Sequence, residues 1–341
     1  MRRFIIVGLG GRSGFWLPSL PLAGVAEPVA FVEPNKANAD ARSAAFKLDK
    51  SAIYPTLAEA KKAHPEADSV IDIVTPMVRE AVVSEAFSLG LNVLSEKPLA
   101  PTLEQAKRLL ALSQKHNKTW MITQNYRFNP LPRTSRRVVE SGAIGDIGVI
   151  NLAFWKTGRF ARESYYAQID FPLLSDMMVH HMDMVRYVTG LDFAWLRASS
   201  FQPKWSWFKG DAGVTFTGEM TNGASFTHTG VWCSHGKNTT WNGDWHVEGS
   251  RGGFTWNQDK LDVHVPADGA AWDTTPASVN VSGGGDVAQM ILREFDSAIE
   301  QKRQPECSAF DNLRSIGVIY AATESIKRGG EKIELGKFLG L

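Results

Sequence analysis

Three side chains near the middle of the chain have the types and the spacing of an acid–base unit. Asp176, His180 and Asp183 lie in the segment LLSDMMVHHMDMVRYVTG, four and three residues apart. On an α-helix these positions share one face, where a carboxylate orients an imidazole and raises its basicity. A core histidine can have the same spacing, and so can a pair of metal ligands. Cys233 and His235 stand apart from this segment, so the sequence predicts no metal site.

A lysine stands where a buried strand should end. Lys97 belongs to the stretch SEKPLAPT, residues 95–102, which separates a predicted strand from a predicted amphipathic helix. The carboxyl ends of parallel strands deliver side chains into the crevice where ligands bind. Lys97 is therefore a candidate to contact a reacting group, and the alternative is a surface lysine whose stem covers apolar atoms.

Strand and helix signals alternate through the first 123 residues. The predicted strands are RFIIVGL, PVAFVEP, SVIDIVTP, LNVLSEKP and KTWMITQNY. Continuous apolar strands separated by helices are typical of a parallel sheet that is covered on both faces. Residues 1–123 are therefore predicted to form a doubly wound α/β domain.

A glycine-rich turn follows the first of these strands. In IVGLGGRSGFW, Gly8 permits a tight turn, Gly10 lets the backbone approach a pyrophosphate, and Ser13 occupies the place of a third glycine. Glu33 ends the second strand, where a carboxylate accepts hydrogen bonds from the adenosine ribose and repels a 2′-phosphate. The pattern predicts a dinucleotide site that favours NAD over NADP. The alternative for Glu33 is a helix-capping or solvated side chain.

The pattern changes in the second part of the chain. GVINLAFWKTG and GVTFTGEMTNGASFTHTGVW alternate apolar and polar residues, as in an antiparallel sheet with one covered face. A long helix is predicted from about Leu173 to Val188, and two helices close the chain. Residues 124–341 are therefore predicted to form a second α/β domain with a large open, mostly antiparallel sheet.

Composition excludes several classes of protein. The 341 residues include 37 Lys and Arg against 36 Asp and Glu, so the net charge provides no general attraction to nucleic acid or anionic membranes. Two cysteines fit a reducing compartment. The apolar run after Arg3 is too short for a signal peptide, and no later stretch is long enough for a membrane helix. We expect a cytoplasmic protein without nucleic-acid or membrane partners.

Together these motifs resemble the Gfo/Idh/MocA family, which includes glucose–fructose oxidoreductase and inositol dehydrogenase. The resemblance rests on GLGGRSG, on EKP at Glu96–Pro98 and on D-x-x-x-H-x-x-D at Asp176–Asp183. It extends to GAIGDIG at 142–148 and WNGDWHVEGSRGGF at 241–254. It implies a Rossmann domain followed by an α/β domain whose open sheet often serves as an oligomer interface. It also implies hydride transfer between a ring carbon of a sugar or cyclitol and nicotinamide.

The resemblance also implies roles for individual residues. Lys97 would stabilise the developing alkoxide, His180 would accept the proton, and Asp176 would bind a neighbouring hydroxyl. The residues expected to contact NAD are Gly8, Gly10, Gly11, Arg12, Ser13, Glu33, Thr75, Pro76, Glu96, Lys97 and Asn125. Many relatives have a histidine where this chain has Glu80. A homo-oligomer, a dimer or a tetramer, is expected by family analogy only.

Substrate selection is expected in the loop WKTGRFARESYYAQ and in the Trp-rich strands. Seven of the eleven tryptophans lie between residues 195 and 256, compatible with flat platforms for sugar rings. The cationic, aromatic loop suggests a sugar with an acidic substituent, and the alternative is a solvated loop or a subunit contact. The candidate substrate-binding residues are Arg127, Lys156, Arg159, Tyr165, Asp176 and His180.

Two other functions are compatible with the same motifs. A redox glycosidase would oxidise a glycoside transiently, eliminate the aglycone and reduce the product again, which requires a further base such as Tyr165 or His246. A non-catalytic nucleotide sensor would use the same fold without chemistry. The sensor predicts loss of Lys97 or His180, and both are present.

Overall fold

The structure, a computed structural model, describes residues 1–158, 160–266 and 277–341. The chain forms two compact units. The first comprises Met1–Phe128 and Gly284–Leu313, and the second comprises Asn129–Gly283 and Arg314–Leu341. The first unit thus includes a segment near the carboxyl end of the chain, which the division at residue 123 had assigned to the second domain.

The strands of the two units are, in chain order, β1 Arg2–Val7, β2 Ala26–Val32, β3 Ile53–Tyr54, β4 Ser69–Asp72, β5 Asn92–Ser95, β6 Trp120–Ile122, β7 Ile147–Trp155, β8 Phe193–Phe201, β9 Gly213–Met220, β10 Ser225–Val231, β11 Asp244–Gly249, β12 Gly253–Asn257, β13 Lys260–His264, β14 Ala277–Ser278 and β15 Ile333–Glu334. The α-helices are α1 Ser13–Trp16, α2 Lys36–Phe46, α3 Leu57–Ala63, α4 Pro76–Ser88, α5 Leu103–Lys115, α6 Pro130–Glu140, α7 Tyr165–Gln168, α8 Met178–Thr189, α9 Val287–Glu300, α10 Ala309–Lys327 and α11 Leu335–Leu339.

The first unit contains a six-stranded parallel sheet in the order β3-β2-β1-β4-β5-β6. This order is that of the dinucleotide-binding doubly wound fold, in which the strand order reverses beside β1. The predicted α/β class is confirmed. The sheet has one strand more than predicted, β3, which the sequence did not indicate because it is only two residues long. Pro18 lacks an amide hydrogen and follows α1, which is a single turn.

Helix α9 packs on the core of the first unit. Its buried residues Ile291, Leu292 and Phe295 belong to the same cluster as Phe4 and Ile6 of β1. The ring centroids of Phe4 and Phe295 lie 6.0 Å apart. Burial of this apolar face explains why the segment returns to the first unit.

The second unit contains a nine-stranded sheet in the order β14-β13-β12-β11-β7-β10-β9-β8-β15. Only the β7–β10 pair is parallel among these neighbours, so the predicted mostly antiparallel sheet is confirmed in the part of the chain that the structure describes. Along β7, buried Ile150, Leu152 and Phe154 alternate with exposed Val149 and Trp155. Helix α8 covers the buried face, since the rings of Phe154 and His181 lie 4.7 Å apart.

None of the helices in the described ranges combines the length and the apolar composition that a bilayer-spanning segment requires.

Candidate functional site

The glycine turn after β1 has the shape that a dinucleotide requires. Gly8 has φ +98°, and a Cβ there would lie 3.2 Å from the carbonyl carbon of Ile73 and 3.3 Å from the amide nitrogen of Val74. Only glycine fits this position without strain. The Cβ positions of Gly10 and Gly11 face open space, with no atom within 4 Å. The turn therefore presents bare backbone at the start of a helix, which fits a pyrophosphate.

Ser13 replaces the third glycine of the fingerprint without opening the turn. Its side chain is buried, and its hydroxyl donates to the carbonyl oxygen of Gly10 at 2.7 Å. Arg12, the residue before it, stacks its guanidinium 4.0 Å from the ring centroid of Phe15. The same group donates from Nε to Glu96 Oε1 at 2.7 Å while its side chain stays 42% exposed. A cation is thus held beside the glycine turn.

Glu33 lies next to this turn, as predicted from its place after β2. Its Oε2 accepts a hydrogen bond from the Leu9 amide at 2.8 Å, and its Oε1 accepts one from the Asn35 amide at 2.9 Å. Each oxygen of a carboxylate can accept more than one hydrogen bond. Glu33 therefore holds the turn and still has acceptor capacity for a ribose diol.

The other expected cofactor residues follow the carboxyl ends of neighbouring strands. Thr75 precedes α4 and Pro76 is its first residue, after β4. Asn125 opens a 3-10 turn, Asn125–Phe128, after β6. Because the strands are parallel, these positions and the glycine turn share one edge of the sheet.

Glu96 is held by several side chains of the first unit. Its buried carboxylate accepts hydrogen bonds from Trp16 Nε1 at 2.9 Å and Thr123 Oγ1 at 3.0 Å, besides the one from Arg12. These partners come from α1, from the end of β6 and from the glycine turn. Glu96 therefore joins the turn to the strand ends around Lys97, and its contacts favour a structural role over direct cofactor binding.

The segment of Asp176 and His180 begins with a π-helical turn, Leu173–Met177, and continues as α8. The Met178 amide donates to the carbonyl of Leu173, five residues earlier. The regular helix geometry behind the sequence prediction therefore does not apply to Asp176. Asp176 is half-buried, and His180, in the first turn of α8, is 5% exposed.

Asp183, the third member of the predicted face, is buried. Its Oδ1 accepts a hydrogen bond from Ser315 Oγ at 2.6 Å, and that hydroxyl oxygen also accepts one from Arg186 at 2.7 Å. Arg186 is also paired with Asp192 at 2.6 Å. These bonds anchor α8 to α10 within the second unit, so Asp183 stabilises the helix.

His181 is a fully buried histidine of the same helix, α8. Its Nε2 lies 3.1 Å from the carbonyl oxygen of Trp241, which only accepts, so Nε2 carries the hydrogen. Its ring lies 6.0 Å from that of His228 on β10. Burial lowers the pKa of His181 to about 4, and burial, with the nearby His181, lowers the pKa of His228 well below 6.5. Both rings are therefore neutral at neutral pH.

The loops after β7 and β10 are rich in aromatic side chains. Lys156 Nζ donates to the Thr239 carbonyl at 3.1 Å and lies 4.7 Å from the ring centroid of Trp241. Tyr165, the first residue of α7, is exposed and contacts Tyr166. Phe160 joins this group to Trp232, their centroids 5.0 Å apart, and to Tyr166, at 5.1 Å. Arg159 lies outside the described residues.

These loops and the π-helical turn lie at one end of the sheet. Strands β7 and β10 are parallel and end side by side at Trp155 and Val231. A Cβ on Gly230 would lie 3.1 Å from the side chain of Leu173, which begins the π-helical turn. The second unit therefore brings Lys156, Tyr165 and the segment of Asp176 and His180 to the same end.

Two expected residues have other surroundings. Arg127 is buried in the first unit, where it pairs with Asp311 at 2.6 Å and donates to the Glu306 carbonyl at 2.9 Å. These contacts favour a structural role over substrate binding. His246 pairs with Glu248 on β11, opposite Asn151 in register, on the sheet face away from α8. The His246 side chain therefore lies on the opposite face of the sheet from α8.

Residues 1–158, 160–266 and 277–341 contain no cluster of three or more Cys, His, Asp or Glu side chains arranged to hold a metal ion.

The fold and the glycine turn define a dinucleotide-binding protein. Residues 2–124 match the sequence model described as oxidoreductase family, NAD-binding Rossmann fold, and residues 133–255 match the GFO/IDH/MocA C-terminal domain. The chain belongs to the Gfo/Idh/MocA family of oxidoreductases, which confirms the resemblance noted in its sequence.

Individual relatives show what the chain is similar to. Inositol 2-dehydrogenase of Corynebacterium glutamicum is 31% identical over 47% of this chain and 46% of its own. D-apiose dehydrogenase of Rhizobium rhizogenes is 24% identical over 79% of this chain and 80% of its own. The crystal structure of an oxidoreductase from Agrobacterium radiobacter, in complex with NAD+, L-tartaric acid and magnesium, superposes with a TM-score of 0.87 at 20% identity. It covers 98% of this chain and 99% of that one.

Proposed function

We propose that this protein is an NAD-dependent dehydrogenase that oxidises a ring-carbon hydroxyl of a sugar or cyclitol. The observation that carries the proposal is Lys97, which follows β5 at the sheet edge that holds the glycine turn. Two relatives, an inositol and an apiose dehydrogenase, act on polyhydroxylated substrates and support this substrate class.

NAD+, when bound, accepts the hydride from the substrate carbon. His180 accepts the proton from the reacting hydroxyl, because a neutral imidazole is the side-chain base best suited to neutral pH. The Lys97 ammonium donates a hydrogen bond to the same oxygen as negative charge develops there. Asp176 accepts a hydrogen bond from a neighbouring hydroxyl and so orients the ring. Lys156 and Tyr165 contribute substrate contacts from the loop after β7, and we assign the same role to Arg159 from the sequence alone.

We assign NAD rather than NADP because of Glu33. Its carboxylate is fixed by two backbone amides beside the glycine turn, where an adenosine ribose binds in this fold. A 2′-phosphate at that ribose would meet a fixed negative charge.

A redox glycosidase has less support than a dehydrogenase. Elimination of an aglycone requires a base beyond His180, and His246 lies on the sheet face away from α8. Tyr165 is then the remaining candidate from the sequence. We therefore include aryl glycosides in the test without proposing that activity.

The test is an NADH assay on the purified protein with a panel of pyranoses, cyclitols, uronates and aryl glycosides. Lys97→Met and His180→Asn should each reduce the rate by about 100-fold or more, the usual cost of a lost acid–base or electrostatic group. Lys107→Met and His116→Asn, at positions in and next to α5, are the matched controls and should retain the rate. Release of aglycone without net NADH would replace the proposal with a glycosidase.

We also propose a homo-oligomer that uses the exposed face of the nine-stranded sheet. Val149, Trp155 and Phe201 expose apolar surface on this face. The family resemblance supports the same face as an interface.

A further inference from the structure

A buried ion pair lies beside the Lys97 turn of the first unit. Arg79 on α4 is 1% exposed, and its Nε donates to Asp72 Oδ2 of β4, itself fully buried, at 2.7 Å. Burial of two charges removes their hydration, and an apolar pair of similar size often gives equal stability. Stability alone therefore does not account for this pair.

The two Nη nitrogens of Arg79 donate hydrogen bonds to backbone carbonyls. Nη2 donates to the Val74 carbonyl at 3.0 Å, and Nη1 donates to the carbonyl of Pro98. Asp72 Oδ1 in turn accepts from the Val74 amide at 3.1 Å. The pair therefore connects the end of β4 to Pro98, which immediately follows Lys97.

The backbone before Lys97 is held by other contacts. The Glu96 amide donates to the Asp72 carbonyl at 2.9 Å, and the Thr123 amide donates to the Ser95 carbonyl at 2.9 Å. After Lys97, Leu99 is buried, and the Pro98 carbonyl is bound by Arg79. Arg79 thus contributes a side-chain hydrogen bond to the backbone on the far side of the turn.

We propose that Arg79, oriented by Asp72, is a positioning residue that fixes the backbone from which Lys97 reaches the reacting oxygen. This inference rests on the proposed role of Lys97. The pair acts through geometry, because its two opposite charges cancel at a distance. A displacement of about 1 Å in a catalytic group lowers the rate by roughly 100-fold.

The first variant replaces the pair by apolar residues, Asp72→Leu with Arg79→Met, which preserves the volume without leaving a buried charge unpaired. We expect kcat to fall by about 10- to 100-fold, with unchanged affinity for NAD. The melting temperature should also fall, because the Val74 and Pro98 backbone groups lose their side-chain partners. Arg79→Lys is the second variant, since it keeps the charge but cannot reach two carbonyls with a planar fork. It should show the same loss of kcat.

Arg2→Met is the matched control. Arg2 is also a buried arginine of the first unit, paired with Asp68, Asp296 and Glu300. It begins β1, at the sheet edge opposite the Lys97 turn. This variant should lower the melting temperature and leave kcat of the folded protein unchanged.

The deciding measurement repeats both Arg79 variants in a Lys97→Met background. If Arg79 acts through Lys97, its replacement leaves the residual kcat of Lys97→Met unchanged. An additive loss in that background overturns the inference and leaves the proposed function intact. An unchanged kcat in Lys97→Met alone overturns the role of Lys97 and the inference together.

Amide hydrogen exchange of the protein without ligands tests the same inference without a substrate. In the Arg79 variants the amides of Lys97, Leu99 and Ala100 should exchange faster, whereas Arg2→Met should leave them unchanged. Equal protection of this turn in all variants overturns the inference.

Discussion

Glu33 combines a structural and a selective task in one carboxylate. Glu33→Gln keeps the size of the side chain but removes the charge that opposes a 2′-phosphate. We expect the affinity for NAD to fall and the affinity for NADP to rise, so that their ratio changes by about tenfold, or about 1.4 kcal/mol. Titration calorimetry with both dinucleotides measures this ratio.

The control for this change is Glu27→Gln on the same strand. Glu27 is exposed near the start of β2, where it lies 3.6 Å from Arg3, at the opposite sheet edge from Glu33. Its replacement should leave both affinities unchanged. An unchanged ratio in Glu33→Gln would show that Glu33 does not select the cofactor.

The buried His181–His228 pair makes stability depend on pH. Folding lowers the pKa of His181 from an unfolded value near 6.5 to about 4, so between these values only the unfolded chain binds the proton. The free energy of unfolding therefore falls as the pH drops through this window, by about 3 kcal/mol for His181, and is fully present above the unfolded pKa. The pKa of His228 is lowered in the same direction.

His181→Gln tests this dependence, because the amide of glutamine can still donate to the Trp241 carbonyl. Urea unfolding followed by tryptophan fluorescence gives the midpoint between pH 4 and pH 7.5. The parent protein should lose stability steadily below pH 6.5, and the variant should lose clearly less. Equal slopes for both proteins would exclude His181 as the source.

The sequence predicted the surroundings of residues that are set by their place in the fold. It did not predict the surroundings of residues whose partners lie far away along the chain. Gly8 and Glu33 have the surroundings expected of their places after β1 and β2. Glu96, Arg127 and Asp183 do not, because their partners lie far away along the chain. The partners of these three residues, Thr123, Asp311 and Ser315, come into contact with them only when each unit folds.

Two glycines of the turn after β1 should affect different properties: Gly8 the stability of the fold and Gly10 the binding of NAD. Gly8→Ala places a Cβ 3.2 Å from Ile73 at a positive φ, so we expect a loss of about 1–3 kcal/mol of stability. Gly10→Ala meets no atom within 4 Å, so the fold should be kept while the added methyl obstructs the pyrophosphate.

Thermal unfolding and NAD titration distinguish these two effects. Gly8→Ala should lower the melting temperature of the apoprotein. Gly10→Ala should leave that temperature close to the parent value and weaken NAD binding by about tenfold or more, a cost of at least about 1.4 kcal/mol. Strong NAD binding by Gly10→Ala would contradict the assignment of the open space to the cofactor.

Sequence periodicity could not predict the π-helical turn at Leu173–Met177. A spacing of four residues predicts one face only if every turn is a regular α-turn. The bond from Met178 to Leu173 spans five residues, and nothing in the composition of LLSDM indicates it. Single π-turns inside helices are frequent at functional sites, in keeping with the proposed role of Asp176.

For the whole molecule, the sequence predicted both sheets but not the path of the chain between the units. Helix α9 has a clear apolar face, which indicates that it is buried but not against which core. Phe295 packs with Phe4, almost the full chain length away. Such long-range pairing depends on the shapes of the assembled cores, so the partner of α9 could not be predicted from the apolar pattern of the sequence.

The exposed face of the nine-stranded sheet supports the last prediction. Val149 lies on β7, the central strand of the sheet, and is 46% exposed. Trp155, further along the same strand, exposes apolar surface on this face too, and between them the amide of Asn151 donates to Thr227 Oγ1 at 2.7 Å. If a second copy covers this face, Val149→Glu would bury a charge without a partner, which costs several kcal/mol.

We therefore expect light scattering to show an oligomer for the parent protein and a smaller species for Val149→Glu, with an unchanged melting profile at low concentration. Leu22→Glu, at an exposed leucine of the first unit, is the matched control and should keep the oligomer. A stable interface buries about 800 Å² on each partner, so one charge at its centre should weaken association by more than about 100-fold. A monomeric parent protein, or an oligomer that survives Val149→Glu, would exclude this face as the interface.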